Sequence, residues 1–238
     1  MELVRALAAE GVVCTVGAGG KKTTLYRLAE RIDRAVVTAT VRIPVFDDRV
    51  ADVVVTDDPA SAIESATAWP LGVVPERERE DRYRGYDPSV VDEIADAADA
   101  ILVKADGARM RQFKAPSDRE PQIPSSADTV LPIASARVVG EALTDDHVHR
   151  VDRVSALTGR DPGDELSATD VATVLASPAG GQKGVPGGAT VVPVVNMVDD
   201  EALAATAREI AVRIHQKANV PRVVLTEMTG DDPVVDVV

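Results

Sequence analysis

Near the start of the chain, eight consecutive residues combine backbone freedom, positive charge and hydroxyls: Gly17-Ala18-Gly19-Gly20-Lys21-Lys22-Thr23-Thr24. Glycines let backbone N–H groups approach an anion closely, a lysine adds a full charge, and a threonine hydroxyl can join the shell of Mg²⁺. This is equipment for cradling the phosphates of ATP or GTP. A bare strand-to-helix turn would need one glycine and no Lys-Lys-Thr-Thr. The spacing departs from G-x-x-x-x-G-K-[ST], and two registers stay open. With Lys21 as the phosphate lysine, Lys22 stands where the metal-holding hydroxyl is wanted. With Lys22 in that role, Lys21 stands where glycine is wanted. Either way, Thr23 or Thr24 is left to hold the metal.

A second set of reactive residues begins at Asp106-Gly107, directly after the apolar run 100–103. An aspartate leaving a buried parallel strand sits at the sheet edge where ligands bind, placed to hold Mg²⁺ directly or through water. A simple strand-ending turn is the competing account. Arg109, Arg111 and Lys114 follow in one loop and suit an anion, with a solvated loop as the alternative. Lys21, Lys22, Asp106 and Arg109 are thus the candidates to act on a phosphoryl group. Thr38 and Thr40 close the second strand, where they can reach a metal or a γ-phosphate. Threonine also favours strands for its own sake. Asn196-Met197-Val198-Asp199 stands where guanine-binding P-loop proteins carry Asn-Lys-x-Asp. Met197 replaces that lysine, so the choice between ATP and GTP stays open. His147 and His149 project to one side of an extended segment, but with no third spaced ligand they read as a surface loop.

These residues need a sheet edge to bring them together, and the hydrophobic pattern supplies one. Short β-branched or apolar runs at 12–16, 35–40, 51–56, 71–74, 100–103, 129–133, 190–198 and 222–226 read as strands. Helical patterns follow at 25–32, after Asp57-Asp58-Pro59, after Asp87-Pro88, at 167–176 and at 200–217. Alternation of this kind predicts an α/β fold of three layers around a mostly parallel central sheet, the P-loop NTPase arrangement. One nucleotide-binding domain over 1–238 is expected. The charge run at 76–88 and the glycine-rich stretch at 178–189 read as loop insertions.

The chain has 238 residues, 45% of them hydrophobic, enough for a large core. It contains no apolar run of membrane-spanning length, and residues 1–10 lack a signal-peptide pattern, so a cytoplasmic protein is expected. Cys14 is the only cysteine, which excludes internal disulfides and cysteine zinc sites. A net charge of -13 disfavours nucleic-acid binding and resembles adaptation to a salt-rich cytoplasm. The six lysines are Lys21, Lys22, Lys104, Lys114, Lys183 and Lys217. All but Lys217 fall in segments singled out on other grounds, as if the charge were kept only where it is used.

Several of these stretches together resemble the selenium-dependent hydroxylase accessory proteins of the YqeC type. The resemblance rests on Gly17–Lys21 with its threonines, Thr38–Pro44, Ala105–Arg109 running into 114–124, Asp146–Arg150, 180–184 and Asn196-x-x-Asp199. The chain departs from that family at Lys104, usually acidic, at Lys22, usually a hydroxyl residue, and at Met197, usually lysine. The resemblance implies a nucleotide-dependent maturation factor whose partners are a molybdenum hydroxylase client or its cofactor. Two other classes stay open: an ATP-dependent ligase or transferase acting on a small anion, and a chaperone that binds nucleotide without hydrolysing it.

Overall fold

The structure, a computed structural model, describes residues 3–238. A short helix, α1 (Leu3–Ala6), leads into β1 (Gly11–Gly17), and α2 (Lys21–Ala29) starts after three intervening residues. Next come β2 (Ala35–Ala39), the two-residue β3 (Ile43–Pro44), β4 (Asp52–Val55), α3 (Pro59–Glu64) and β5 (Leu71–Val74). The middle of the chain forms β6 (Arg82–Tyr83), α4 (Pro88–Glu93), β7 (Ala100–Lys104), β8 (Phe113–Lys114), β9 (Thr129–Ser135) and β10 (Val148–His149). After α5 (Val151–Thr158) and α6 (Ala168–Ala176) come β11 (Thr190–Val191), β12 (Val194–Asn196), α7 (Glu201–Lys217), β13 (Val224–Thr226) and β14 (Val234–Val237).

One large sheet runs in the order β14-β13-β12-β9-β1-β7-β2-β5-β4, with β11 also beside β9. Its pairings are parallel except for β13 with β14. Every residue of β2, β7 and β9 is buried, which is why these strands read as mostly apolar runs rather than alternating, with Thr38, Lys104, Thr129 and Ser135 as their polar exceptions. Successive side chains still point to opposite faces. Val13, Val37 and Leu102 pack against Leu3 of α1 and Leu25 and Leu28 of α2. Cys14, Val36 and Val103 pack on the other side against Ile63 of α3 and Val91 of α4. Ala134, Val195 and Leu225 meet Leu175 of α6 and Ile210 of α7. The result is a three-layer α/β architecture, as the pattern predicted. Among the described residues, no helix is long and apolar enough to cross a membrane.

Four local expectations are corrected. The run at 190–198 is not one strand: Pro193 has no N–H for the ladder and separates β11 from β12. The strand at 222–226 is not the last, because β14 returns antiparallel to it. The stretch 76–88 is more than a solvated insertion. Its β6 pairs antiparallel with β3, and Tyr83 and Tyr86 are buried. Finally, α2 begins at Lys21 rather than 25, so both lysines lie in its first turn.

Candidate functional site

The first strand delivers its glycine loop to the C-terminal edge of the sheet, between the ends of β7 and β9. Gly19 has φ +89, and a Cβ there would lie 2.8 Å from the Gln112 carbonyl oxygen. Gly20 has φ +129, and a Cβ there would lie 2.1 Å from Asn196 Nδ2. Only glycine meets both demands. Asn196 explains the tightness: its Nδ2 donates to the Gly19 carbonyl at 2.8 Å, and its Oδ1 accepts from Thr226 Oγ1 at 3.0 Å. A residue read from sequence as a base-contacting group therefore braces the glycine loop. Asp199, its companion in that reading, pairs with Arg137.

Lys21 is the first residue of α2 and only 5% exposed. Its Nζ turns back to donate to the Gly17 carbonyl and lies 2.7 Å from Asp106 Oδ1. Asp106 Oδ2 accepts from the Gly17 N–H at 2.8 Å and lies 2.9 Å from Lys114 Nζ. Lys114 in turn meets Glu120 at 2.7 Å, and Glu120 meets Arg150 at 2.6 Å. Burial opposes ionisation of Glu120, but the Arg150 hydrogen bond and the Lys114 charge bring its pKa down to about 2. This buried chain of alternating charges ties the glycine loop to the β8–β10 layer. Burial lowers the pKa of Lys21 more than the Asp106 charge raises it.

Beside this chain opens a cavity of about 360 Å³. Its floor is Ala18, Gly19 and Gly20 with the first turn of α2 through Thr23. Gly20 gives α2 no side-chain cap, so the first-turn N–H groups lack a side-chain acceptor. Lys21, Lys22, Arg109, Arg111, Arg42, Arg82 and Lys104 also line the cavity, Arg42 paired with Glu78 and Arg82 with Asp81, and no acidic residue among the described ones lines the cavity itself. Lys22 makes no ion pair or side-chain hydrogen bond among the described residues. Burial, followed by the nearby Arg82 and Arg49 charges, lowers its pKa. Lys104 is 6% exposed and donates to the Arg42 carbonyl at 2.8 Å, with no carboxylate in ion-pairing reach among the described residues. Burial and then the Lys21 charge bring its pKa down to about 7.

The predicted site residues therefore divide. Gly17, Ala18, Gly19, Gly20, Lys21, Lys22, Thr23, Arg109 and Arg111 gather at one edge, with Asp106 and Lys114 buried behind them. Thr24 is buried and back-bonds to the Gly20 carbonyl. Thr38 is buried and donates to the Val73 carbonyl at 2.8 Å, and Thr40 donates to the Gln122 carbonyl. Neither hydroxyl lines the cavity. His147 lies 3.3 Å from Glu141, while burial and then the Arg150 and Lys114 charges lower the His149 pKa to about 4. Among the described residues, no group of three His, Cys, Asp or Glu is placed to hold a metal ion. Sequence reasoning missed Arg42 and Arg82. The β3–β6 pairing brings them to the cavity, and two-residue strands leave no periodic trace.

A family described as "YqeC protein" matches residues 13–152, which include the glycine loop, Asp106 and Arg150. The chain is also 29% identical over 185 residues to a protein of Escherichia coli (strain K12) named "Uncharacterized protein YqeC". That match covers 74% of this chain and 72% of the relative. No solved structure matches.

Proposed function

The chain belongs to the YqeC family, and from that membership we propose a nucleotide-dependent accessory factor that seats a triphosphate on the first turn of α2. The observation that carries the reading is electrostatic. A protein of net charge -13 surrounds one cavity with seven basic side chains and no acidic one, over an uncapped helix N-terminus. Helix partial charge and lysines both favour an anion there, and the surrounding protein focuses the field into the cleft. Lys21 is held by Asp106 and the Gly17 carbonyl at the edge of the glycine loop, where it meets the phosphates. Arg109 and Arg111 flank the opening and offset charge as it develops. Phosphoryl transfer needs no side-chain nucleophile, since positioning and electrostatics supply most of the effect. With Asn196 committed to the loop and Asp199 to Arg137, neither is free to read guanine, which favours ATP. A role in maturing selenium-dependent molybdenum hydroxylases rests on the family resemblance of the 105–109, 114–124 and 146–150 stretches.

A second reading, transfer of the phosphoryl group to a small anionic acceptor, is favoured by one feature. Arg42, Arg82 and Lys104 line the cavity in addition to the cations of the glycine loop and of the 109–111 segment. Calorimetric titration with ATP tests the core of the proposal. The protein should bind ATP, Lys21→Ala combined with Lys22→Ala should lose that binding, and Lys22→Ala alone should weaken it while keeping the thermal transition, because Lys22 has no ion-pair partner among the described residues. Unchanged affinity in the double variant sinks it. Phosphate release alone supports hydrolysis, whereas a phosphorylated acceptor supports transfer.

A further inference from the structure

We propose that this cavity takes its polyphosphate without a divalent cation, with Lys22 and Lys104 supplying the charge that a metal would bring. The inference rests on the phosphate reading above and deepens it. Its starting point is the register of the glycine loop. Lys21 opens α2 and turns back onto the Gly17 carbonyl and Asp106, so it is the lysine of the loop. Lys22 then occupies the next position, where a metal-holding hydroxyl would stand. It lines the cavity and makes no ion pair among the described residues.

The remaining donors do not fit Mg²⁺ either. That ion demands about six oxygen ligands in near-octahedral array and is bound through carboxylates, phosphates and waters. Asp106, expected to be its carboxylate, is 1% exposed and accepts from the Gly17 N–H. Both of its oxygens are also ion-paired, at 2.7 Å to Lys21 and 2.9 Å to Lys114. Bringing it to a metal would strip buried Lys21 of its carboxylate and leave Lys114 with Glu120 alone, and a buried charge left unpaired is costly. Thr23 offers the cavity a hydroxyl but has no acidic residue beside it on the wall. At the end of β7 the cavity instead meets Lys104, whose Nζ has only the Arg42 carbonyl as partner. A dication placed there would meet basic side chains and no carboxylate on the lining. A bare polyphosphate would meet them as counter-charges.

The test uses inorganic tripolyphosphate, titrated calorimetrically into the full chain in excess EDTA and again in excess Mg²⁺. Binding should be tighter in EDTA, by about tenfold, because Mg²⁺ complexation removes charge that the lysines would otherwise meet. Lys22→Thr, a change on a half-buried residue without ion-pair partners among the described residues, should weaken binding in EDTA more than in Mg²⁺ and so narrow that gap, by removing the charge. Tighter binding by wild type in Mg²⁺ overturns the inference while leaving the phosphate site standing. Equal loss in both media for Lys22→Thr removes Lys22 from the role. Absence of binding in either medium overturns the phosphate reading itself.

Discussion

Lys104 concentrates the residue-scale consequences of this architecture. In the folded chain it titrates near 7, while an unfolded lysine keeps its proton to about 10.4. Between those values the unfolded state holds more protons, so stability rises with pH across the window and is lost as pH falls through it. Lys104→Met removes the buried ammonium and should raise the melting temperature at pH 6–7, by about 2–4 °C per kcal/mol recovered. The gap from wild type should close toward pH 10. A variant less stable than wild type at pH 6.5 contradicts the assignment. An anion bound beside the amine favours the charged form, so affinity for phosphate should fall as pH rises from 7 to 9, and this slope should flatten in the variant. Sequence already marked Lys104 as one of six sparingly used lysines. Its partners were hidden, because Arg42 and Lys21 reach it only through the strand order.

At the scale of elements, the glycine loop is shaped from outside as much as by its own residues. Asn196, at the end of β12, fills the space that a side chain at position 20 would need and holds Gly19 by its carbonyl. Gly20→Ala should therefore displace the loop and lose phosphate binding, with the Cβ driven against Asn196 and φ at +129. Asn196→Ala leaves the Thr226 hydroxyl and the Gly19 carbonyl without their partner, at a cost of about 1–3 kcal/mol. It should lower both the melting temperature and phosphate affinity. Retained affinity in Asn196→Ala would show that the loop holds its shape unaided. The parallel strands were legible because burial on both faces writes an unbroken apolar run, as at 100–103 and 129–133. Asp58 caps α3 as the Asp57-Asp58-Pro59 run suggested, and Ser167 and Asp200 cap α6 and α7. The β3–β6 and β8–β10 pairs could not be read, since two residues carry no period and their pairing is decided by tertiary contacts. The cavity wall built on β3 and β6 was lost with them.

Across the whole molecule, charge is sorted rather than merely abundant. Acids are spread over the surface to give -13, while the cavity collects seven cations. The two populations should answer added salt in opposite ways. Surface carboxylates repel one another over distances that screening shortens, with a Debye length of about 10 Å at 0.1 M and about 3 Å at 1 M. Relief of that repulsion stabilises the compact state, so the melting temperature should climb as KCl is raised through this range. The cavity works by attraction between its cations and a polyanion, and the same screening weakens it. Affinity for tripolyphosphate should therefore fall over the interval in which the fold gains stability. Melting curves and calorimetric titrations on the same samples read both slopes. Parallel slopes would contradict the separation, because they would make one charge population responsible for stability and binding alike. A falling melting temperature would instead mean that ion pairs such as Arg42–Glu78 and Arg153–Asp118 outweigh the general repulsion. Exposed pairs of that kind contribute only about 0–1 kcal/mol each, too little to set the sign against thirteen excess negative charges.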